Sequence, residues 1–127
     1  MKHSINQPSQ RQLRVGEQLR HILAGILQRG HFKNEILINH GSDITVTEVR
    51  ATPDLKSATV FVISLGGQEM DKILPALNDA AYYFQKEINR SSNLKYTPRL
   101  KFKQDDSFDA AQKLDSILSN IHYSDQE

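Results

Sequence analysis

The chain has 127 residues and no cysteine, and its 16 Lys and Arg residues nearly balance its 15 Asp and Glu residues. This length fits one domain with tails, and the absence of cysteine excludes disulfides, thiolate metal ligands and a cysteine nucleophile. No apolar run approaches the about 20 residues of a membrane span, and the first ten residues lack the apolar segment of a signal peptide, so we expect a cytoplasmic protein without membrane contact.

Charge is segregated along this nearly neutral chain. Residues 1–33 carry a net charge of +5, residues 34–85 carry −4, residues 86–103 carry +5 and residues 104–127 carry −5. A single run of charge is typical of a solvated face. Two basic blocks that could converge in the fold indicate a polyanionic partner.

Residues 1–8 are predicted to form a flexible tail that leads into a helix. Ser9 and Gln12 have the spacing of a capping box, and Gly30 supplies the left-handed residue that ends a helix. Gly25 is costly inside a helix, so we expect it to mark close packing on a neighbouring element. The apolar stripe of this helix consists of Val15, Leu19, Ile22, Leu23, Ile26 and Leu27.

The next segment, residues 31–43, is predicted to be a loop with residues 36–38 folded under it, because residues 39–43 are rich in turn formers. Two segments rich in β-branched residues follow, Ile44–Ala51 and residues 56–65, and both are predicted to be strands. The Thr-Pro-Asp-Leu sequence between them is typical of a turn. The sequence therefore predicts a β-hairpin.

Helical periodicity then runs from near Asp71 to about Arg90, with at most a kink on the way. Proline is tolerated in the first turn of a helix, so Pro75 fixes the start approximately. A third strand is predicted at residues 99–103. Residues 107–127 are predicted to be an amphipathic stretch that ends in a disordered tail.

In the second basic block, basic and apolar residues occupy different faces of both a helix and a strand. Lys86 and Arg90 lie one turn apart outside the apolar stripe of the helix. In the strand, basic residues alternate with Leu100 and Phe102. We expect these basic residues to form one patch for a polyanionic partner, extended by the first helix. The candidate residues, which the resemblance to a known family implies bind RNA, are Arg11, Arg14, Lys86, Arg90, Lys95, Arg99, Lys101 and Lys103.

Several local sequences resemble one known family, the ribosome-binding factor A family, over about residues 9–121. They are RQLRVGE at 11–17, ITVTEV at 44–49, PDLKSATVFV at 53–62, LNDAA at 77–81, LKYTPRLKF at 94–102 and DDSF at 105–108. The resemblance implies an α+β fold, a type II KH-like domain at residues 9–106. Its order is α-β-β-α-α-β, with the helices on one face of a three-stranded sheet.

The resemblance also implies a function in ribosome assembly. Members of the family bind the small (30S) ribosomal subunit and 16S rRNA, assist late maturation and processing of the 16S rRNA 5′ end, and matter most in the cold. Other assembly factors are further partners that the resemblance suggests, and we expect a monomer. The chain has no glycine after Gly67, so the GXXG loop with which KH domains clamp RNA is absent.

In this family a helix kink at an Ala-x-Gly sequence replaces that loop, and the corresponding residues here are Ala80, Ala81 and Tyr82. Tyrosine stands where the family has glycine. We therefore expect a kink that is either shallower or based on Pro75 and local packing, with Tyr82 in a helical conformation and not at positive φ.

Catalytic chemistry finds little support in the sequence. Five histidines, His3, His21, His31, His40 and His122, lack metal-ligand spacing. Asp105, Asp106 and Ser107 are typical of an acidic helix start, and no histidine is placed to act as their base. We predict a protein that is not an enzyme and that has no metal or cofactor. The alternative function is a protein-protein adaptor that docks through a sheet edge or through the C-terminal amphipathic stretch.

Overall fold

The structure, a computed structural model, describes residues 7–65 and 69–107. Its elements are α1 (Gln10–Arg29), α2 (Glu35–His40), β1 (Ile44–Ala51), β2 (Ser57–Ser64), α3 (Met70–Asp79), α4 (Ala81–Ser91) and β3 (Arg99–Gln104). A short 3-10 turn, Gly41–Asp43, joins α2 to β1. The predictions for the first six residues of the N-terminal tail and for the C-terminal stretch from residue 108 onward lie outside the described residues.

The three strands form one mixed sheet in the order β1-β2-β3. β1 and β2 pair antiparallel, as the hairpin prediction requires, and β2 pairs parallel with β3. A parallel neighbour requires a long crossover connection, and α3 and α4 form it. The predicted α+β, type II KH-like architecture is confirmed, and the short α2 is added to it between α1 and β1 in the chain.

The helices cover one face of this sheet. The residues with no exposed surface include Leu19 and Leu23 of α1, Val60 of the central strand and Phe84 of α4. The rings of Phe84 and Phe102 lie 5.1 Å apart, which joins α4 directly to β3. Within residues 7–65 and 69–107, no helix has the length and apolar character needed to cross a membrane.

Both predicted ends of α1 are confirmed. Ser9 accepts a hydrogen bond from the Gln12 backbone N–H, the Gln12 side chain accepts one from the Ser9 backbone, and Gly30 ends the helix at φ 67°. The expectation for Gly25 is wrong, because a Cβ there would meet only Arg29 Nη1 of the same helix, at 3.4 Å.

The predicted loop at residues 31–43 is also wrong, because Glu35–His40 forms the helix α2. The Asn34 side chain starts it by accepting hydrogen bonds from the backbone N–H groups of Ile36, at 2.8 Å, and Leu37, at 3.4 Å. Leu37 is buried, whereas Ile38 is exposed. The helix forms although this segment is rich in turn formers, because the Asn34 N-cap and the burial of Leu37 beside α3 stabilise it.

The helical region after β2 breaks at Ala80, where φ is −92° and ψ is 7°. The Ala80 backbone N–H is shared between the carbonyls of Ala76 and Leu77, both at 3.1 Å. Tyr82 lies inside α4, and among the described residues only Gly30, Leu55 and Glu69 have positive φ. The prediction of a kink with a helical Tyr82 is therefore confirmed.

Pro75 lies further inside its helix than predicted. α3 begins at Met70, just after Glu69, whose φ is 68°. The Glu69 carbonyl accepts hydrogen bonds from Lys72 N–H, at 2.9 Å, and Ile73 N–H, at 2.8 Å. Pro75 is thus in the second turn, where a proline leaves one carbonyl of the helix without its usual N–H partner.

Two side-chain amides cover the outer edge of β3. Asn78 accepts a hydrogen bond from Phe102 N–H at 2.8 Å and donates one to the Phe102 carbonyl at 3.1 Å. Gln85 accepts a hydrogen bond from Leu100 N–H at 3.2 Å. These side chains occupy backbone groups that an additional strand would need for pairing.

Candidate nucleic-acid interface

Three of the predicted RNA-binding residues lie in a row on β3. Arg99, Lys101 and Lys103 are exposed, and the residues between them, Leu100 and Phe102, are buried under the helices. Since alternate side chains of a strand point to opposite faces, the three cations lie on the sheet face that the helices do not cover. We call these three residues the strand patch.

We call the sheet face opposite the helices the open face. Besides the strand patch, its exposed and half-buried residues include Thr45, Glu48, Arg50, Thr59, Phe61 and Ile63. Arg50 pairs with Thr59 across β1 and β2, and Phe61 pairs with Lys103 across β2 and β3. Side chains from all three strands therefore contribute to this surface.

A β-bulge brings Arg50 to the open face. The register between β1 and β2 shifts between Val46 and Glu48, and the Thr47 hydroxyl donates a hydrogen bond to Asp105 Oδ2 at 2.5 Å and lies 3.2 Å from the Phe61 carbonyl oxygen. A bulge reverses the alternation of the residues that follow it. Val49 consequently points into the core and Arg50 points out.

Arg50 and Phe61 contact each other on the open face. The guanidinium carbon of Arg50 lies 5.1 Å from the centre of the Phe61 ring, within the range of a cation–π interaction. Arg50 Nε also donates to Glu48 Oε2 at 2.7 Å. This hydrogen bond raises the pKa of Arg50 and orients its guanidinium.

Lys86 and Arg90, which we call the helix patch, are exposed on α4. Phe84 and Ile88 of the same helix face the sheet and are fully buried. A helix turns by about 100° per residue, so Lys86 and Arg90 point away from the sheet. Arg90 Nη1 lies 3.5 Å from Glu87 Oε2, an exposed pair that contributes little to stability.

Arg11 and Arg14 are both exposed near the start of α1, which packs on β1. Arg14 lines a hollow of about 550 Å³ together with His21, Ile22 and Ser91. Ser91 is the last residue of α4 and follows Arg90 directly. Arg14 therefore lies on the helical side of the molecule.

Lys95 lies in the connection between α4 and β3, where it contacts an exposed aromatic side chain. Its Nζ is 5.7 Å from the centre of the Tyr96 ring, and Tyr96 is 71% exposed.

The structure does not unite the predicted residues in one patch. Apolar residues of α4 and β3 meet in the core, so the polar face of the helix and the polar face of the strand point in opposite directions. The strand patch lies on the open face, and the helix patch and Arg14 lie on the helical side. The candidate interface thus consists of two basic surfaces separated by the closed edge of β3.

Beside the kink lies a hollow of about 340 Å³ lined by Ala80 and by residues of α2, α3, α4 and the connection between α1 and α2. Phe32, Lys33, Leu37, Ala76, Ala80 and Tyr83 contribute to its wall. The rings of Phe32 and Tyr83 are 5.5 Å apart. Burial raises the pKa of Tyr83, so its hydroxyl is uncharged at neutral pH.

Sequence reasoning missed Arg50 and Phe61. The alternation of Thr59, Phe61 and Ile63 with buried neighbours in β2 is a signal that would have placed Phe61 on the open face. No such signal exists for Arg50, because the bulge changes the alternation of β1. In the described part of the chain, no group of three or more His, Cys, Asp or Glu residues is arranged to hold a metal ion.

Comparison with known proteins gives a consistent result. The profile of a family described as ribosome-binding factor A matches residues 11–118. A relative from Paramagnetospirillum magneticum, named ribosome-binding factor A, is 48% identical over 120 residues, which are 94% of this chain and 83% of the relative.

Solved structures show the same fold. The crystal structure of ribosome-binding factor A from Thermus thermophilus aligns with a TM-score of 0.59 and 25% identity, over 73% of this chain and 94% of that one. A homology model of the Thermus thermophilus protein, fitted into a cryo-electron microscopy map of a complex with the 30S subunit, aligns with a TM-score of 0.56 and 23% identity, over 72% of this chain and 91% of that one.

Proposed function

The chain belongs to the ribosome-binding factor A family, and from this premise we propose that it binds the small (30S) ribosomal subunit and 16S rRNA as an assembly factor. It acts in the cytoplasm as a monomer, by binding and without catalysis. It assists late maturation of the subunit and processing of the 16S rRNA 5′ end, above all in the cold. The homology model of the Thermus thermophilus family member, fitted into a map of its complex with the 30S subunit, supports this proposal.

The strand patch is the structural observation that carries the proposal. Its three cations follow one another along one face of β3, and none of them takes part in the ion pairs found among the described residues. Lysine and arginine side chains in this arrangement neutralise phosphates and release counterions, which is the main source of affinity for nucleic acids.

Salt dependence tests this proposal. If the strand patch and the helix patch together neutralise about five phosphates, raising the salt concentration from about 50 to 200 mM should weaken binding to 30S subunits by roughly 10² to 10³. If the strand patch acts alone and neutralises three phosphates, the same increase in salt concentration should weaken binding to 30S subunits by about 40-fold. Affinity that does not change with salt would contradict the proposal and favour the protein-protein adaptor.

Charge reversal separates the two surfaces. Binding to 30S subunits should be abolished by a triple variant of the strand patch, Arg99→Glu, Lys101→Glu and Lys103→Glu. A matched double variant of the helix patch, Lys86→Glu and Arg90→Glu, shows whether the helical side contributes to binding. All five side chains are exposed, so both variants should keep the melting temperature of the wild type within a few degrees. Wild-type affinity in a folded strand-patch variant would show that these cations form only a solvated surface.

The adaptor alternative has less support on the β3 side of the sheet. Asn78 and Gln85 already bond the outer backbone groups of Phe102 and Leu100. Docking by strand addition would require both side chains to be displaced. The C-terminal amphipathic stretch, the other surface of that alternative, lies beyond residue 107 and outside the described residues.

The role in 16S rRNA maturation is tested in cells. Cells that lack this protein should accumulate 16S rRNA with an unprocessed 5′ end, more strongly in the cold, and primer extension measures this end directly. The wild-type gene should restore processing, whereas the strand-patch variant should not. Normal 5′ ends in cold-grown cells without the protein would exclude the processing role.

A further inference from the structure

We propose that the open face is a stacking site for an unpaired RNA base. The base stacks on the Phe61 ring, which we call the platform, and the strand patch binds the phosphates of the same RNA strand. This inference rests on the proposed function, because it names the class of nucleic acid and the residue that receives a base. It places single-stranded rRNA on the sheet, on the opposite side of the molecule from the helix kink.

Phe61 has the position that such a platform requires. It lies in β2, the central strand, and pairs with Glu48 on one side and with Lys103 on the other. Its ring is half-buried on the open face, although the other large aromatic residues of the sheet region, Phe84 and Phe102, are buried in the core. An apolar ring held in the central strand among polar residues offers a stacking surface with little conformational entropy to lose.

Arg50 covers part of this surface. Its guanidinium lies over the Phe61 ring, 5.1 Å from the ring centre, and donates a hydrogen bond to Glu48 at 2.7 Å, so a base at this site meets the guanidinium together with the ring. Planar guanidinium groups stack on nucleobases and also contact phosphates. Phe61 and Arg50 therefore form a composite platform that combines an aromatic face with a cation.

The strand patch lies beside this platform, at positions from which its cations can contact the phosphates of a bound strand. Alternate residues of a strand are about 6.6 Å apart, so Arg99, Lys101 and Lys103 form a line of charge along β3. Lys103 is the direct neighbour of Phe61. A base that stacks on Phe61 consequently has its own phosphate next to a lysine.

The geometry selects a single strand over a duplex. The bases of A-form RNA are stacked and paired, and side chains reach them poorly, whereas unpaired bases can turn outward onto aromatic rings. A protein partner fits this face less well, because it would have to cover Arg99, Lys101 and Lys103, which take part in none of the ion pairs among the described residues. The carboxylates of Glu48 and Asp105, in contrast, already contact Arg50 and the Thr47 hydroxyl, respectively. Charge complementarity thus points to RNA.

A tryptophan reporter tests stacking directly. The chain contains no tryptophan, so Phe61→Trp introduces a single fluorophore at the platform. Short single-stranded oligouridine should quench its emission, and inorganic polyphosphate, which carries charge but no bases, should bind without comparable quenching. Quenching by polyphosphate to the same extent, or no quenching by oligouridine, would overturn the proposal.

Affinity measurements with matched variants give a second test. Phe61→Leu should weaken binding of fluorescent oligouridine by about 5- to 150-fold, the effect expected from losing one base–aromatic stack. Phe61→Tyr retains the ring and should bind nearly as the wild type does. Equal affinity of the folded Leu and Tyr variants, with melting temperatures as a check on folding, would contradict the stacking role.

The same variants separate this proposal from the proposed function. If wild-type protein binds 30S subunits and Phe61→Leu changes neither subunit binding nor oligouridine binding, the assembly role stands and the stacking site is wrong. If wild-type protein does not bind 30S subunits at all, the proposed function fails, whatever the oligouridine result.

Discussion

Gly16 of α1 packs directly against the backbone carbonyl of Val49 in β1. A Cβ at Gly16 would overlap the Val49 oxygen, so a side chain of any size forces the helix away from the strand. Gly16 is buried on the same side of α1 as Val15 and Leu19. The absence of a side chain at this position therefore sets the distance between the first helix and the sheet.

Gly16→Ala should destabilise the protein by about 1 to 3 kcal/mol, because overpacking against backbone cannot be relieved by a rotamer change. Gly25→Ala is the matched control in the same helix. Its Cβ would meet only the mobile end of Arg29, at 3.4 Å, and alanine favours a helix interior over glycine by about 1 kcal/mol. Urea denaturation should thus shift in opposite directions for the two variants, and equal shifts would refute the close-packing explanation.

Leu23→Ala should cost about 2 to 5 kcal/mol, since it leaves a cavity where a side chain has no exposed surface. Leu13→Ala in the same helix removes a side chain that is 54% exposed and should change the free energy of unfolding by less than about 0.5 kcal/mol. Thermal unfolding compares the two. An unchanged melting temperature for Leu23→Ala would reject the role of α1 in the core.

Asn78→Ala should destabilise the protein by about 1 to 3 kcal/mol, because it removes both hydrogen bonds to the Phe102 backbone at a partly buried site. Asn89→Ala changes the same residue type at an exposed position of α4 and serves as the control. Chemical denaturation measures both. Equal stability of the two variants would contradict the stabilising role of the Asn78 hydrogen bonds. Because these bonds close the outer edge of β3, Asn78→Ala should also form more dimers than the wild type at high protein concentration.

The hairpin turn should make a pH-dependent contribution to stability. Hydrogen bonds from Lys56 N–H and from the Thr52 hydroxyl lower the pKa of Asp54. A carboxyl group with a lowered pKa in the folded state stabilises the fold above the pKa of the unfolded chain, about 3.9, and this stabilisation is lost as the pH falls through the folded-state pKa. Asp54→Asn should therefore flatten the loss of stability between about pH 5 and pH 2. Parallel stability curves for wild type and variant would refute this assignment.

Much of the fold could be predicted because local and tertiary signals agree. The capping box at Ser9, the left-handed Gly30 and the β-branched strands each specify structure within a few residues. The helix α2 could not be predicted in this way, since its stability depends on the burial of Leu37 against α3, a contact that no local pattern reveals.

The sequence predicts which face of its own helix or strand each candidate basic residue occupies, but not how these faces are arranged in the fold. Alternation correctly indicated that Arg99, Lys101 and Lys103 share a face of their strand, and helical periodicity indicated that Lys86 and Arg90 leave the apolar stripe. The same physics predicts two surfaces, because an amphipathic helix packed on a sheet turns its polar face away from the polar face of that sheet. The bulge near Thr47 is a different case, since register depends on both strands and is not visible in either alone.

The parallel pairing of β2 with β3 determines when the fold can be completed during synthesis. The hairpin of β1 and β2 can form once residue 64 has left the ribosome, but β2 gains its second neighbour only after α3, α4 and β3 have emerged, at Gln104. Until then one side of the most apolar strand has unpaired backbone groups, a state that is prone to aggregation. A nascent chain of this protein is consequently at its most vulnerable while about forty residues, from the end of β2 to the end of β3, are being translated.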